Sequence, residues 1–287
     1  MHSRLFFLHA LTSLHAGIGQ GSGVIDLPIA RERSTHLPIV PGSSIKGVLR
    51  DTLSELPEST ALFGPKTDNA ADHAGALALT DARLLCLPVR ALGGTFAWLT
   101  CPLVLQRFQR DWQALYPEQN PLQIPQPGED RICVVNQHTV LATGTAPNQQ
   151  VVLEDIDLTV ERTDLKEWAQ RIAGPVFAGQ DDWQKIFHQH FALVANPVFD
   201  FLAETATEIV TRIRLQEGTR TVARGGLWFE EHLPAESLLW GIAAADRARN
   251  GQPLSGEELL TLLPNETRLQ VGGKATVGRG QVRWLLK

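Results

Sequence analysis

One carboxylate stands out for chemistry in this 287-residue chain. Asp26 lies between Ile25 and Leu27, just past the run Gly17-Ile18-Gly19-Gln20-Gly21-Ser22-Gly23. Glycine takes positive φ freely and lets another backbone come close, so an Asp beyond such a loop can meet a phosphodiester at short range. Capping of local amides is the plainer use of an isolated turn Asp. His15, at the head of the loop, is placed to act as a general acid or to hydrogen-bond a phosphate.

Two further stretches have the chemistry of anion binding. In the first, Gly272, Gly273, Gly278 and Gly280 are interleaved with Lys274, Thr276 and Arg279. Backbone N–H groups in glycine turns form anion-binding concavities, and nearby cations strengthen them. A tight link between two strands would use the same glycines; the charge and length of the loop favour phosphate. It is not a Walker A loop, because Gly278 is followed by Arg279-Gly280. In the second, Pro41-Gly42-Ser43-Ser44 precedes Ile45-Lys46-Gly47-Val48-Leu49-Arg50, a helix start with Ser43 or Ser44 as the N-cap. Its free amides and dipole, with Lys46 and Arg50 on one face, suit a phosphate. An ordinary capped surface helix is the alternative.

Other motifs are weaker. The glycine run follows a strand, as a dinucleotide fingerprint does, but Pro28, Pro38 and Pro41 forbid the helix that fingerprint must open. His188 and His190 sit among aromatics without a third ligand and read as structural. Trp228-Phe229 beside Glu230-Glu231 reads as a packed hairpin or as a surface for base stacking.

The elements that must position these groups follow from pattern. Residues 2–9 read as a strand, 76–90 and 95–100 as strands, and Pro102 starts a helix through Leu105, Phe108, Trp112 and Leu115. Residues 117–150, rich in Pro, Gln and Gly, predict an inserted or mobile loop. Residues 151–160 predict a strand, and 164–172 and 181–193 helices. A helix begins at Phe199. Residues 208–215 and 220–229 predict a β-hairpin with an arginine-rich tip carrying Arg220 and Arg224. A short helix over 254–263 and two strands flanking the last glycine loop complete an α+β pattern with a ferredoxin-like core and insertions.

Composition bounds the class. Hydrophobic residues are 43% and charged residues 20% of the chain, as in a soluble globular protein. Cys86, Cys101 and Cys133 form no CxxC pair, which argues against a zinc site or disulfide framework and fits a reducing cytoplasm. No apolar stretch is long enough for a membrane span. The net charge of −5 argues against nucleic acid, but the charge is segregated. Residues 1–50 carry five Lys/Arg against Asp26 and Glu32, residues 212–224 four Arg against Glu217, and residues 268–287 five Lys/Arg and no acid. A basic groove on an acidic body has this distribution, as do solvated basic faces.

Several segments together resemble the RAMP superfamily. They are His15-Ala16-Gly17, Ile25-Asp26-Leu27-Pro28-Ile29 with Arg31-Glu32, Ile39 to Gly47, and Gly272-Gly273 with Thr276 to Gly280. The Asp26 segment and Leu227-Trp228-Phe229-Glu230-Glu231 are similar to the repeated backbone subunit of the type III-B CRISPR effector complex. The resemblance spans nearly the whole chain.

It implies a modified RNA-recognition-motif fold, in one domain over residues 1–287, that polymerises in a helical filament of its own copies along a CRISPR guide RNA. It also implies a thumb hairpin, here residues 212–229, that wedges between bases and leaves single-stranded target RNA kinked and cleavable. By the family pattern Asp26 is the cleavage residue and His15 its catalytic accessory. Trp228, Phe229, Glu230 and Glu231 are accessory, and Phe229 departs from the pattern, standing where an aromatic with a hydroxyl would offer a polar contact. The RNA-binding set is Ser43, Ser44, Lys46, Arg50, Arg220, Arg224, Gly272, Gly273, Lys274, Thr276 and Arg279. Expected partners are guide RNA, target RNA and other effector subunits, and no membrane. Asp26 would hold a divalent cation, Mg²⁺ or Mn²⁺. A guide-binding scaffold of the same family without catalysis shares every basic loop.

Overall fold

The structure is a computed structural model that describes every residue except Ser22, Ala70, Gln137 and Ala146, and not the side chains of Thr67 and Arg162. Ser22 of the glycine run therefore lies outside the described residues.

The Leu/Phe run of the N-terminus forms β1 (His2–Ala10), whose residues from Leu5 to Leu8 are fully buried. Continuous rather than alternating hydrophobicity means a strand covered on both faces. An irregular stretch carrying Asp26 leads to β2 (Ile39–Val40) and α1 (Gly42–Thr52), then α2 (Ser59–Phe63), β3 (Leu77–Leu79) and β4 (Ala82–Arg90). The predicted serine cap is not there. Pro41 is the N-cap of α1, no side-chain hydroxyl closes it, and the Gly42 N–H donates to Asp81 Oδ1 at 2.8 Å. Gly42 is needed because a Cβ there would lie 2.5 Å from the Leu79 carbonyl oxygen, so the helix starts wedged against the β3–β4 turn.

The middle of the chain holds β5 (Phe96–Thr100), α3 (Pro102–Leu115), β6 (Arg131–Val134), β7 (Gln150–Leu153), β8 (Ile156–Asp164), α4 (Lys166–Val176), α5 (Asp181–His190), β9 (Phe191–Val194) and α6 (Asn196–Thr205). Three expectations are corrected here. Residues 117–150 contain β6, buried between β9 and β8, because Ile132-Cys133-Val134 is a short apolar run that only a covered strand can use. Residues 151–160 are a hairpin turning at Glu154, with φ 47°, not one strand. The helix expected over 181–193 stops at His190, where Phe191-Ala192-Leu193-Val194 continues as a buried strand.

The last third gives β10 (Glu208–Leu215), β11 (Val222–His232), β12 (Leu238–Ala245), α7 (Gly256–Thr261), β13 (Glu266–Gln270) and β14 (Gln281–Leu286). α7 opens on a capping box between Ser255 and Glu258. The predicted hairpin is present as β10 and β11, which form their own two-stranded sheet.

The other strands form one mixed sheet in the order β13-β14-β1-β12-β4-β5-β9-β6-β8-β7, with β2 on β4 and β3 on β12. Among the described strand pairs of this sheet, only β5–β9 and β6–β8 are parallel. β1 is central to the first half, running from His2↔Ala245 to His9↔Leu238 on one side and from Phe6↔Leu286 to Ala10↔Val282 on the other. Its side chains pack on both faces: Phe6 stacks on Trp284 of the neighbouring β14 with centroids 4.7 Å apart, and Phe7 meets Phe108 of α3. The loops leaving β1, β11 and β13 thereby converge at one end of the sheet.

Candidate catalytic and RNA-binding site

The Asp26 segment joins the hairpin through a single bridge at Leu27. Leu27 N–H donates to Phe229 O, and Glu231 N–H donates to Leu27 O, both at 3.0 Å, a parallel bridge beside β11. The exposed Asp26 carboxylate accepts the Phe229 N–H at Oδ2, 2.8 Å. This contact uses the backbone of residue 229 and is independent of its ring. Asp26 Oδ1 has no partner among the described residues.

Glu231 fixes this segment from below. Its buried carboxylate accepts from Ile29 N at 3.1 Å, Thr207 Oγ1 at 3.1 Å and Arg31 Nη2 at 2.6 Å. Arg31 also donates to the Ala203 and His36 carbonyls. The adjacent Glu32 receives a two-pronged ion pair from Arg107 of α3 at 2.6 and 2.7 Å, and those hydrogen bonds hold its carboxyl below the usual range. The loop is therefore clamped to β11, α6 and α3 at successive residues.

Glu230 performs the same task for the glycine loop. It is 1% exposed, yet it accepts from Lys274 Nζ at 2.6 Å, Trp228 Nε1 at 2.7 Å and Arg212 Nε at 3.2 Å. Burial pushes the carboxyl up, but these hydrogen bonds and the Lys274 charge outweigh it and bring it down to about 2. Lys274 reaches it from a left-handed backbone, φ 68°. His232, fully buried, lies 3.5 Å from the same carboxylate; burial, then His15 and Arg279, push its imidazole below the ordinary value.

His15 sits under this assembly. Its Nδ1–H donates to Glu231 O at 2.7 Å, its carbonyl accepts Gly273 N–H at 2.9 Å, and it is 7% exposed. Gly272, at φ 79°, passes so close that a Cβ would lie 2.3 Å from His15 O. Arg279 closes the loop on Ser13 Oγ at 2.6 Å, with Glu208 at 3.4 Å.

Asp26, His15, Trp228, Phe229, Glu230, Glu231, Gly272, Gly273, Lys274 and Arg279 are thus brought together. The rest of the predicted set is not in that cluster. Lys46 donates to Leu77 O at 2.7 Å, and Arg50 to the carbonyls of Gly64 and Pro65, so Lys46 ties α1 to β3 and Arg50 ties it to the turn after α2. Ser43 is exposed and Ser44 half-buried on the first turn. Arg220 and Arg224 stand exposed at the hairpin tip, and Thr276 is exposed in a 3₁₀ turn. His190 is structural, as its aromatic surroundings suggest, bridging Ile186 O and Gly94 O. The clamp residues Thr207 and Arg107 carry no signal in sequence, since their partners are remote, and Arg212 shows there only as one of the basic run 212–224.

An open cleft of about 1040 Å³ borders the Asp26 loop, lined among others by Ile25, Ile29, Arg33 and His36. Among the described residues, no group of three or more His, Cys, Asp or Glu could hold a metal ion alone, and no helix is long and apolar enough to cross a membrane.

The sequence matches the RAMP superfamily over residues 7–283. The chain belongs to the RAMP superfamily. A relative in this superfamily, the CRISPR system Cmr endoribonuclease Cmr4 of Pyrococcus furiosus, is 35% identical over 295 residues, covering 100% of this chain and 96% of the relative. The crystal structure of oligomeric Cmr4 from Pyrococcus furiosus superposes with a TM-score of 0.74 at 27% identity, covering 100% of this chain and 98% of that one. A chain of the type III-B Cmr-beta complex bound to cognate target RNA gives a TM-score of 0.76 at 19% identity, covering 100% and 97%, a likeness of fold.

Proposed function

We propose that this RAMP protein is a backbone subunit of a type III-B CRISPR ribonucleoprotein. It binds guide RNA along its cationic loops and cleaves complementary single-stranded target RNA at regular intervals. The observation that carries the reading is Asp26 itself: an exposed carboxylate, one oxygen fixed by Phe229 N–H and the other without a partner among the described residues, at the root of a protruding hairpin. The scaffold alternative shares the basic loops but gives no reason to clamp one acid so firmly and leave it open. Similarity to a Cmr endoribonuclease over the full chain supports the same choice.

The strand order β14-β1-β12-β4, antiparallel throughout, supports a ferredoxin-like core. α1 falls between β1 and β4, and α7 between β12 and β14, the βαββαβ sequence of that motif. Residues between β4 and β12 are then insertions. The β10–β11 hairpin, outside the main sheet and cationic at its tip, serves as the thumb. Other copies of the chain and other effector subunits extend the filament, in the cytoplasm.

The chemistry is chiefly one of position. A nucleotide displaced by the hairpin brings its 2′-OH into line with the adjacent phosphate, which converts cleavage into an intramolecular step. Asp26 is the residue that meets the scissile region. His15, buried and with Nδ1–H spent on Glu231 O, acts as a positioning residue. A divalent cation, Mg²⁺ or Mn²⁺, fits the free Asp26 oxygen, because Mg²⁺ is held by one or two carboxylates with water and phosphate oxygens completing its shell. Bound there, it supplies Lewis-acid polarisation of a phosphoryl oxygen.

The test uses the assembled ribonucleoprotein. Asp26→Asn abolishes target cutting and leaves guide binding intact, and chelation of divalent cations has the same effect on the wild type. Unchanged cutting by Asp26→Asn removes Asp26 from the reaction, and unchanged cutting in chelator removes the metal.

A further inference from the structure

Shortly before the chain reaches the Asp26 loop, His9 of β1 stands in a cross-strand row. It pairs with Arg283 of β14, and Arg283 pairs with Arg268 of β13. Directly opposed residues of an antiparallel sheet present their side chains on one face, so an imidazole and two guanidinium groups lie side by side. They border a cleft of about 330 Å³ that Trp183 and Glu236 also line. None of these residues belongs to the Asp26 cluster.

The cleft is built from fixed polar groups. His9 is 3% exposed; its Nε2 bonds Glu236 Oε2 at 2.7 Å, and its Nδ1 is buried with no partner among the described residues. Glu236 is held at φ 69°, unusual for a residue with a side chain. Both its backbone groups are engaged, N–H on Ala10 O at 2.7 Å and carbonyl accepting Trp98 Nε1 at 2.7 Å. Its Oε1 has no partner among the described residues. Trp183 is 39% exposed and stacks on Phe177, centroids 5.8 Å apart at 11°. Arg283 is tied to Glu266, whereas Arg268 is exposed and free of ion pairs among the described residues.

These groups answer to different parts of one ligand. A fixed indole stacks a nucleobase. Glu236 Oε1 is open to accept, and Oε2 keeps a second lone pair beside the one that meets His9; guanine, with N1–H and N2–H₂ next to each other, is the base whose edge can donate to both oxygens. A free guanidinium pairs with phosphate. The volume lies at the lower end of the range for small-ligand pockets, room for one nucleotide and not for a duplex. We infer that the cleft between α5 and the β13–β14 edge binds one guanine nucleotide, free or as an unpaired residue of an RNA strand. The inference does not rest on the cleavage reading.

Calorimetric titration of the full chain with GMP and AMP tests it. Saturable GMP binding is expected, weakened at least tenfold by Trp183→Ala and by Arg268→Glu. Arg268→Glu changes an exposed residue and should leave the melting temperature in place. Glu236→Gln abolishes the preference for GMP over AMP, and Asp26→Asn binds GMP as the wild type does, whatever its effect on RNA. Tighter binding of a uridine pentamer with one central guanosine than of GMP assigns the site to RNA; the reverse assigns it to free nucleotide. Absence of saturable GMP binding, equal affinity for AMP, or unchanged binding by Trp183→Ala and Arg268→Glu overturns the inference.

Discussion

Replacing Glu230 by glutamine keeps the shape of the side chain and removes the charge that joins the glycine loop to the hairpin. Lys274 and Arg212, each about 30% exposed, are then left facing a neutral amide on a buried side chain. The magnitude follows from the carboxyl's position at about 2 in the fold against an ordinary value of 4.5. At 1.36 kcal/mol per pKa unit, the ionised form contributes about 3 kcal/mol at neutral pH. The pKa is lowered by folding, so the contribution is complete above about 4.5 and fades as pH falls toward 2; by pH 3 less than half of it remains. Urea denaturation of wild type and Glu230→Gln at several pH values between 3 and 7 measures it. The midpoints should differ most at pH 7 and draw together on acidification. A difference that stays constant over that range, or is absent at pH 7, refutes the assignment of Glu230 as the charged tie.

Gly272→Ala forces a side chain into φ 79° and against His15 O; a loss of about 2 kcal/mol or more is expected in thermal unfolding, with guide binding weakened. Arg107→Ala and Glu32→Gln should each loosen the Asp26 loop, and a double-mutant cycle in denaturant should return a coupling of about 1–2 kcal/mol; additivity would mean the pair does not hold the loop. Arg220→Ala and Arg224→Ala, at the exposed tip, should leave stability unchanged and lower the slope of log affinity for RNA against log salt by about one for each phosphate no longer neutralised.

Where local chemistry and burial agree, the sequence is easy to read. α3 begins at Pro102 and keeps Leu105, Phe108 and Trp112 buried on one face, as the spacing requires. The hairpin and both strands flanking the last glycine loop are equally plain. β12 is not, because Leu238–Ala245 mixes a glycine and three alanines, weak strand formers. Its logic is remote: a Cβ at Gly241 would lie 2.4 Å from the Phe6 ring, so the glycine makes room for a side chain of another strand. β6 is hidden by its Pro- and Gln-rich surroundings. In the site, residue types are visible but pairings are not. Nothing near Glu230 indicates Lys274, and the first amide of α1, expected to be free, is met by Asp81, which no helical pattern reveals.

The register of β1 has a consequence for synthesis. Phe6 lies opposite Gly241 on one side and Leu286 on the other, so β1 is made long before both of the strands that pair with it. During that wait its fully apolar middle offers two unsatisfied edges, a template for misassociation. Chains arrested before residue 238 should therefore collect in inclusion bodies or on chaperones, and slower translation through β12 should lower the yield of native protein.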